Sequence, residues 1–236
     1  MVTESQKDNL YGGIKGVCMN YLIVVAHSGD EILGCGGTIQ KLIKSGAGVS
    51  VCVLDGKKSY GERKEEDTLP DHRMVLSSIG LKVENLWTLD TKKETVAFSS
   101  LVSFIEKCMV DNDIDSIITY HPAVGDRERR EAARATQKAS QLYKRNRDLR
   151  PLVALMYMEF PSATDVTLDP TVRWFSPNFY VTLSKDMLEK KEKAITLMNR
   201  KDTVTSAETI RGVAAMRGAQ SGSLYSEAFE SVYIRV

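Results

Sequence analysis

The chain has little of what marks small or specialised architectures. Its four cysteines (Cys18, Cys35, Cys52, Cys108) stand far apart in 236 residues and form no CxxC pair. A structural zinc ribbon is therefore excluded. Cys35 and Cys52 lie in apolar contexts and read as buried thiols. Cys35, near a histidine-bearing turn, also admits a reactive-thiol reading. Net charge is +1, which gives no electrostatic case for nucleic acid or an anionic membrane surface. No apolar run approaches a membrane span, and Met1 to Cys18 has no apolar core of signal-peptide length. The cytoplasm is the expected compartment. Repeats, low-complexity tracts and Pro/Ser linkers are all missing, so residues 1–236 are expected to form one domain.

What is present is an alternation of apolar runs and amphipathic segments. Tyr21 to Ala26 is a continuous apolar run with β-branched residues, the pattern of a strand buried on both faces of a parallel sheet. It runs into a small polar turn carrying His27, Asp30 and Glu31. A helix is expected over about 32–45, with Ile32, Leu33, Ile39, Leu42 and Ile43 on its apolar face, closed by Gly46 and Gly48. Further strands are expected at 49–54, 85–89, 114–119 and 152–158. Helices are expected from 70 to 80, over 97–111 and over about 127–145. Strands alternating with helices define an α/β, doubly wound, mostly parallel sheet. After Pro161 the pattern weakens. A Ser/Thr/Asp-rich loop leads to Trp174-Phe175 and on to Pro177 through Thr182, 184–198 and 206–217 are helical, Gly218 to Gly222 is a turn, and Tyr225 to Val236 closes with a short strand. The charged run 57–70 reads as a solvated loop, or as a flap over the site.

His27, Asp30 and Glu31 fall where a strand's carboxyl end meets a helix amino end, the rim on which open α/β sheets bind ligands. One imidazole and one carboxylate on such a turn can share a divalent cation. A hydrolytic zinc site takes three protein ligands and leaves one position for water. The chain has only three histidines, His27, His72 and His121. His121 ends the fourth strand and reaches the same rim if the sheet is parallel. His72, at a helix start, reads as structural. A rival reading takes Gly34-Cys35-Gly36-Gly37 as a dinucleotide loop with Asp55 as the ribose acid. The full GxGxxG spacing is missing, however, and these glycines fall inside the first helix, where they would serve close helix–sheet packing.

Several segments carry a resemblance to a known family. Ala26-His27-Ser28-Gly29-Asp30-Glu31, followed by Gly34-Cys35-Gly36-Gly37-Thr38-Ile39, resembles the AHPDDE…GGT signature of LmbE-like, or PIG-L, zinc-dependent N-acetylglucosamine deacetylases. Ser78-Ile79-Gly80-Leu81, Thr119-Tyr120-His121-Pro122, Pro177 to Thr182 with the helix bearing Lys190 and Lys193, and Arg217-Gly218 through Tyr225-Ser226-Glu227-Ala228-Phe229 are similar to later family segments. The likeness spans roughly residues 20–230. It implies a Rossmann-like sheet of LmbE-like fold, a Zn2+ ion at the carboxyl rim, and a small-molecule amino-sugar conjugate as substrate. Neither nucleic acid nor a membrane span is implied, and a homo-oligomer is left open.

The resemblance also shows departures. His27 and Asp30 fall on the family's first two zinc ligands. Gly29 falls on its general base and Ser28 on its proline. Without gaps, Glu128-Arg129 matches the family's later Asp-His pair. With a two-residue shift, Arg130-Glu131 does. The first register puts an arginine at the third ligand position, and the second offers the Glu131 carboxylate. Arg73 or Arg63 would stand for the substrate-holding arginine, with Glu31 beside them.

Three functions follow as expectations. The first is a deacetylase with a repaired site, zinc on His27, Asp30 and either His121 or Glu131. Asp126 or Glu128 would act as base and His121 as oxyanion donor. The second is a catalytically silent member that binds a sugar, a nucleotide-sugar or a protein partner on the same rim. The third is a metal-free reaction using Glu31, Glu128 or Asp126.

Overall fold

The central strand β1 (Asn20–His27) is buried along almost its whole length, with Leu22, Ile23, Val24 and Val25 fully shielded from solvent. Each such side chain contributes about 1.5–3 kcal/mol on leaving water, so this run is the natural middle of a sheet. The computed structural model describes residues 19–55, 72–89, 96–143, 149, 151–161, 173–198 and 206–235. The 57–70 run and its flap reading lie outside these residues, as do Cys18, Arg63 and the side chain of Asp55.

On one side β1 pairs in parallel with β2 (Gly48–Asp55), which pairs with β3 (Leu86–Thr88). On the other side it pairs in parallel with β4 (Ser116–Tyr120), followed by β5 (Ala154–Met158). The chain thus winds outward from β1 to β3 and then crosses back to β4. The reversal lies between β1 and β4, so their carboxyl ends frame the crevice where such sheets take ligands. Helices α1 (Asp30–Lys44), α2 (His72–Ser78), α5 (Lys185–Leu197) and α6 (Ala207–Ser221) pack among themselves on one face. Helices α3 (Phe98–Asp111) and α4 (Arg127–Tyr143) pack together on the other. The expected α/β, mostly parallel sheet is the observed one.

The far side of the sheet departs from the sequence expectation. The expected short closing strand is a nine-residue strand, β7 (Ser226–Ile234). It is inserted antiparallel between β5 and β6 (Phe179–Thr182), giving the seven-strand order β3-β2-β1-β4-β5-β7-β6. Glu227 and Glu230 break its apolar pattern, yet both are buried because each has a cationic partner. Helix α6 also runs to Ser221 through the expected turn. Gly218 permits this: a Cβ there would sit 2.5 Å from the Leu224 carbonyl oxygen, so the chain can fold back tightly on the helix. The helix then ends on Gly222 in the left-handed region (φ 72°).

The glycines of α1 lie within the helix, as the sequence reading anticipated. A Cβ on Gly37 would lie 2.5 Å from Leu183 Cδ1, so this glycine lets α1 settle against the chain that leaves β6. The helix is broken at Cys35, whose backbone is non-helical, within the glycine-rich stretch.

Candidate active site at the carboxyl rim

The turn after β1 sets the site. Gly29 adopts a left-handed conformation (φ 87°) and caps α1, its carbonyl accepting from the Ile32 and Leu33 N–H groups. The helix therefore begins at Asp30, two residues before the sequence-based start. Asp30 and Glu31 both fall in its first turn, where carboxylates are favoured by the helix dipole. Both are fully buried.

Asp30 is held by Arg129 and Tyr120. Arg129 Nε donates to Oδ2 at 2.8 Å and Nη2 to Oδ1 at 3.2 Å, a two-pronged ion pair. Tyr120 Oη donates to Oδ2 at 2.7 Å and itself accepts the Ala26 N–H. The guanidinium lies 4.5 Å from the centre of the Phe160 ring. Burial alone would lower the Arg129 pKa, but the charge of Asp30 and its hydrogen bonds outweigh that and raise it. Burial, then the neighbouring Asp30 charge, pushes the Tyr120 hydroxyl well up. The centre of the rim is thus a neutral ion pair whose carboxylate is fully buried and whose guanidinium keeps a partly exposed edge.

Arg129, the residue of the gap-free register, is the one that reaches Asp30. Glu131 does not: its Oε1 accepts from Arg127 Nε at 3.1 Å on the more exposed side of α4. The geometric reason is helical. Positions 129 and 131 are two residues apart and face different directions.

These contacts decide whether the inherited metal set fits. A dication on Asp30 needs a free carboxylate lone pair and a third donor close by. Both Asp30 oxygens face a cation already, and a guanidinium has no lone pair to give. The residues around Asp30 do not fit a metal. His27 points instead to Glu128, with Nε2 and Oε2 3.0 Å apart, while its Nδ1 is buried with no hydrogen-bond partner among the described residues. His27, Asp126 and Glu128 offer one ligand atom each, all within 4.8 Å of one another, a partial metal-capable cluster. Asp126 already has a structural role there, its Oδ1 accepting the Arg129 N–H near the start of α4.

His121 is placed apart from this cluster. Its Nδ1 accepts the Ala123 N–H at 3.1 Å, so the ring proton sits on Nε2, 3.6 Å from Glu230 Oε2. Tyr157 and Phe175 meet its ring edge to face. Burial lowers its pKa. Glu230 in turn accepts from Arg173 Nη2 at 2.7 Å and the Ser176 N–H at 2.9 Å. The expected oxyanion donor is thus engaged with β7 and the 173–178 segment.

Glu31 is engaged locally. Its Oε2 accepts the Gly29 N–H at 2.9 Å, and its Oε1 meets His72 Nε2 at 2.7 Å. His72, expected to be structural, ties α2 to the rim. Arg73 follows it on the exposed side of α2. Glu227 binds the Gly37 and Thr38 N–H groups, the Thr38 hydroxyl and Lys191 Nζ. This contact joins the glycine-rich stretch of α1 to the closing strand, two of the segments on which the family likeness rests. Sequence reasoning missed Tyr120, Phe160 and Glu230. Their signal was weak, since each reads as an ordinary strand or strand-end residue.

The fold and rim define a class: an α/β protein of deacetylase-type architecture with a histidine and carboxylates at the sheet switch point. The profile of the PIG-L family, described as GlcNAc-PI de-N-acetylase, matches residues 22–140. The chain belongs to this family. No curated protein sequence matches it. Among solved structures it is similar to GalB, the 4-carboxy-2-hydroxymuconate hydratase of Pseudomonas putida, with TM-score 0.74 and 18% identity over 92% of this chain and 98% of that one. It is also similar to the N,N'-diacetylchitobiose deacetylase of Pyrococcus horikoshii, with TM-score 0.71 and 17% identity over 97% and 89%. The conserved protein TT1542 of Thermus thermophilus gives TM-score 0.72 and 18% identity over 92% and 96%. At these identities the likeness is one of fold.

Proposed function

We propose that this chain is a PIG-L family protein that binds an N-acetylated amino-sugar conjugate at its carboxyl rim, with the family's metal-dependent deacetylation lost or strongly impaired. The observation that carries the reading is the Arg129 guanidinium on both oxygens of Asp30. It puts a fixed organic cation where the resemblance calls for Zn2+. Gly29, in the position of the general base, has no side chain to take a proton. Losing a positioned base costs a factor of about 10²–10⁴ in rate.

What favours a sugar ligand is the family itself and the polar rim of Asp126, Glu128 and His27, able to meet hydroxyl groups. A fold keeps its shape when site residues change, but not its chemistry. A second reading has an observation of its own. The His27, Asp126 and Glu128 cluster favours an active hydrolase in which these three donors, and not Asp30, would hold zinc. Arg73, exposed on α2, would then touch substrate, while Glu31 and His121 would have to leave their present partners to take the roles the sequence suggested.

The test uses protein purified without chelator. Acetate release and calorimetric binding are measured with N-acetylglucosamine and N,N'-diacetylchitobiose, alongside zinc content. Binding without acetate release and without stoichiometric zinc is expected. Acetate release that requires zinc, with both abolished in Asp30→Asn, would overturn the proposal. The same loss in Glu128→Gln, with Asp30→Asn still active, would establish the second reading.

A further inference from the structure

Two buried thiols outside the rim face each other. Cys52 lies in the middle of β2, in register with Val24 of β1 and Trp87 of β3. Cys108 lies near the end of α3, on the face turned to the sheet. Both are fully buried, and their Sγ atoms are 3.8 Å apart in a thiol–thiol contact. Cys35, the other described cysteine, is engaged elsewhere, its Sγ donating to the Glu31 carbonyl.

We infer that Cys52 and Cys108 form a redox-responsive staple, a dithiol preset to close into a disulfide that fastens α3 to the sheet. The sulfurs must approach from 3.8 Å to about 2.05 Å, a shift within reach of a helix that settles slightly on its strand. The reaction with a peroxide balances simply. One thiol gives its electron pair to the peroxide, becoming a sulfenic acid and releasing water. The second thiol then displaces hydroxide from that sulfur, which leaves as a second water. The two thiols are oxidised and the peroxide is reduced.

The environment sets the rate. Burial, followed by the hydrogen bond shared with Cys108, pushes the Cys52 thiol well up, so little thiolate is present in the closed core. Oxidation therefore passes through local opening of α3, and reclosure brings the partner thiol back to the oxidised one. The bond would span 56 residues of chain, so it constrains the unfolded state strongly. It also reaches the rim indirectly, because α3 packs along α4, which carries Glu128 and Arg129.

The experiment uses the reduced, full-length chain. It is treated with hydrogen peroxide under native conditions, blocked with N-ethylmaleimide, and read by intact mass, peptide mapping and thermal melting. The expected result is a mass loss of two hydrogen atoms, a cross-linked pair of peptides holding Cys52 and Cys108, and a melting temperature raised by about 5 °C or more. Cys52→Ala and Cys108→Ala each lose all three signals, and Cys35→Ala loses none. Oxygen addition without a cross-link, a cross-link to Cys18 or Cys35 instead, or thiols that resist peroxide until the protein is unfolded would each overturn the inference.

Discussion

Arg129→Met is the most informative single change. It leaves the Asp30 carboxylate fully buried and met by the Tyr120 hydroxyl, without its guanidinium. Removing one partner of a buried pair costs about 3–5 kcal/mol. The carboxylate has an escape: it can take up a proton. Protonating an aspartate of ordinary pKa about 3.9 costs about 4 kcal/mol at pH 7 and about 1.5 kcal/mol at pH 5. That cost caps the penalty of removing the guanidinium. The sign follows from linkage. The variant's Asp30 has a raised folded-state pKa, so its folded form is relatively stable at low pH and loses stability as pH rises. Arg129→Met is therefore expected to lose about 3–4 kcal/mol at pH 7 and about half of that or less at pH 5. Urea denaturation of variant and wild type at both pH values reads the difference. Adding Asp30→Asn should recover most of the loss at pH 7, since neither charge then remains. A loss below about 1 kcal/mol at pH 7, or one that does not depend on pH, would refute the view that this ion pair replaces a metal at the heart of the rim.

Other consequences are open to direct measurement. Gly29→Asp with Arg129→His is expected to gain stoichiometric zinc, read by elemental analysis; without zinc it should melt lower than Arg129→Met, being less stable by about 1 kcal/mol more, because position 29 is left-handed. Gly37→Ala is expected to lose about 1–3 kcal/mol in urea denaturation, because its methyl group meets Leu183 at 2.5 Å and Glu227 Oε1 at 3.1 Å. His121 is held below its ordinary pKa by burial, so its share of stability is present above about pH 6.5 and is lost as pH falls through its lowered value. His121→Gln should flatten that part of the stability profile between pH 7 and pH 5. Glu227→Gln leaves the Lys191 ammonium buried without its charge partner, and a loss of about 3 kcal/mol is expected in the same assay.

The parallel part of the fold was legible because its signals are local. The apolar run at 21–26, the glycine closing α1 and the helical spacing at 97–111 each need only a few neighbouring residues to be read. The boundaries that failed depend on distant partners. Helix α1 starts at Asp30 on the Gly29 cap, and Arg129 and Tyr120, about a hundred residues away, make the buried carboxylate tolerable there. Strand β7 carries two glutamates that fit in a core because distant groups meet them, Lys191 with the Gly37 and Thr38 N–H groups at Glu227, and Arg173 with the Ser176 N–H at Glu230. The site divides in the same way. His27, Asp30 and Glu31 were recognisable from their shared turn. The choice between Arg129 and Glu131 was not, because it turns on which face of α4 meets the sheet.

By itself the sequence determined the family, the winding of the sheet and the place of the rim, since hydrophobic periodicity and short motifs are properties of neighbouring residues. It also determined that position 29 carries no base. Only the tertiary structure decided what stands beside Asp30. Charge pairing acts through space, over a few ångströms, and the chain brings residues 30, 120 and 129 within that distance only once β1 and β4 lie side by side.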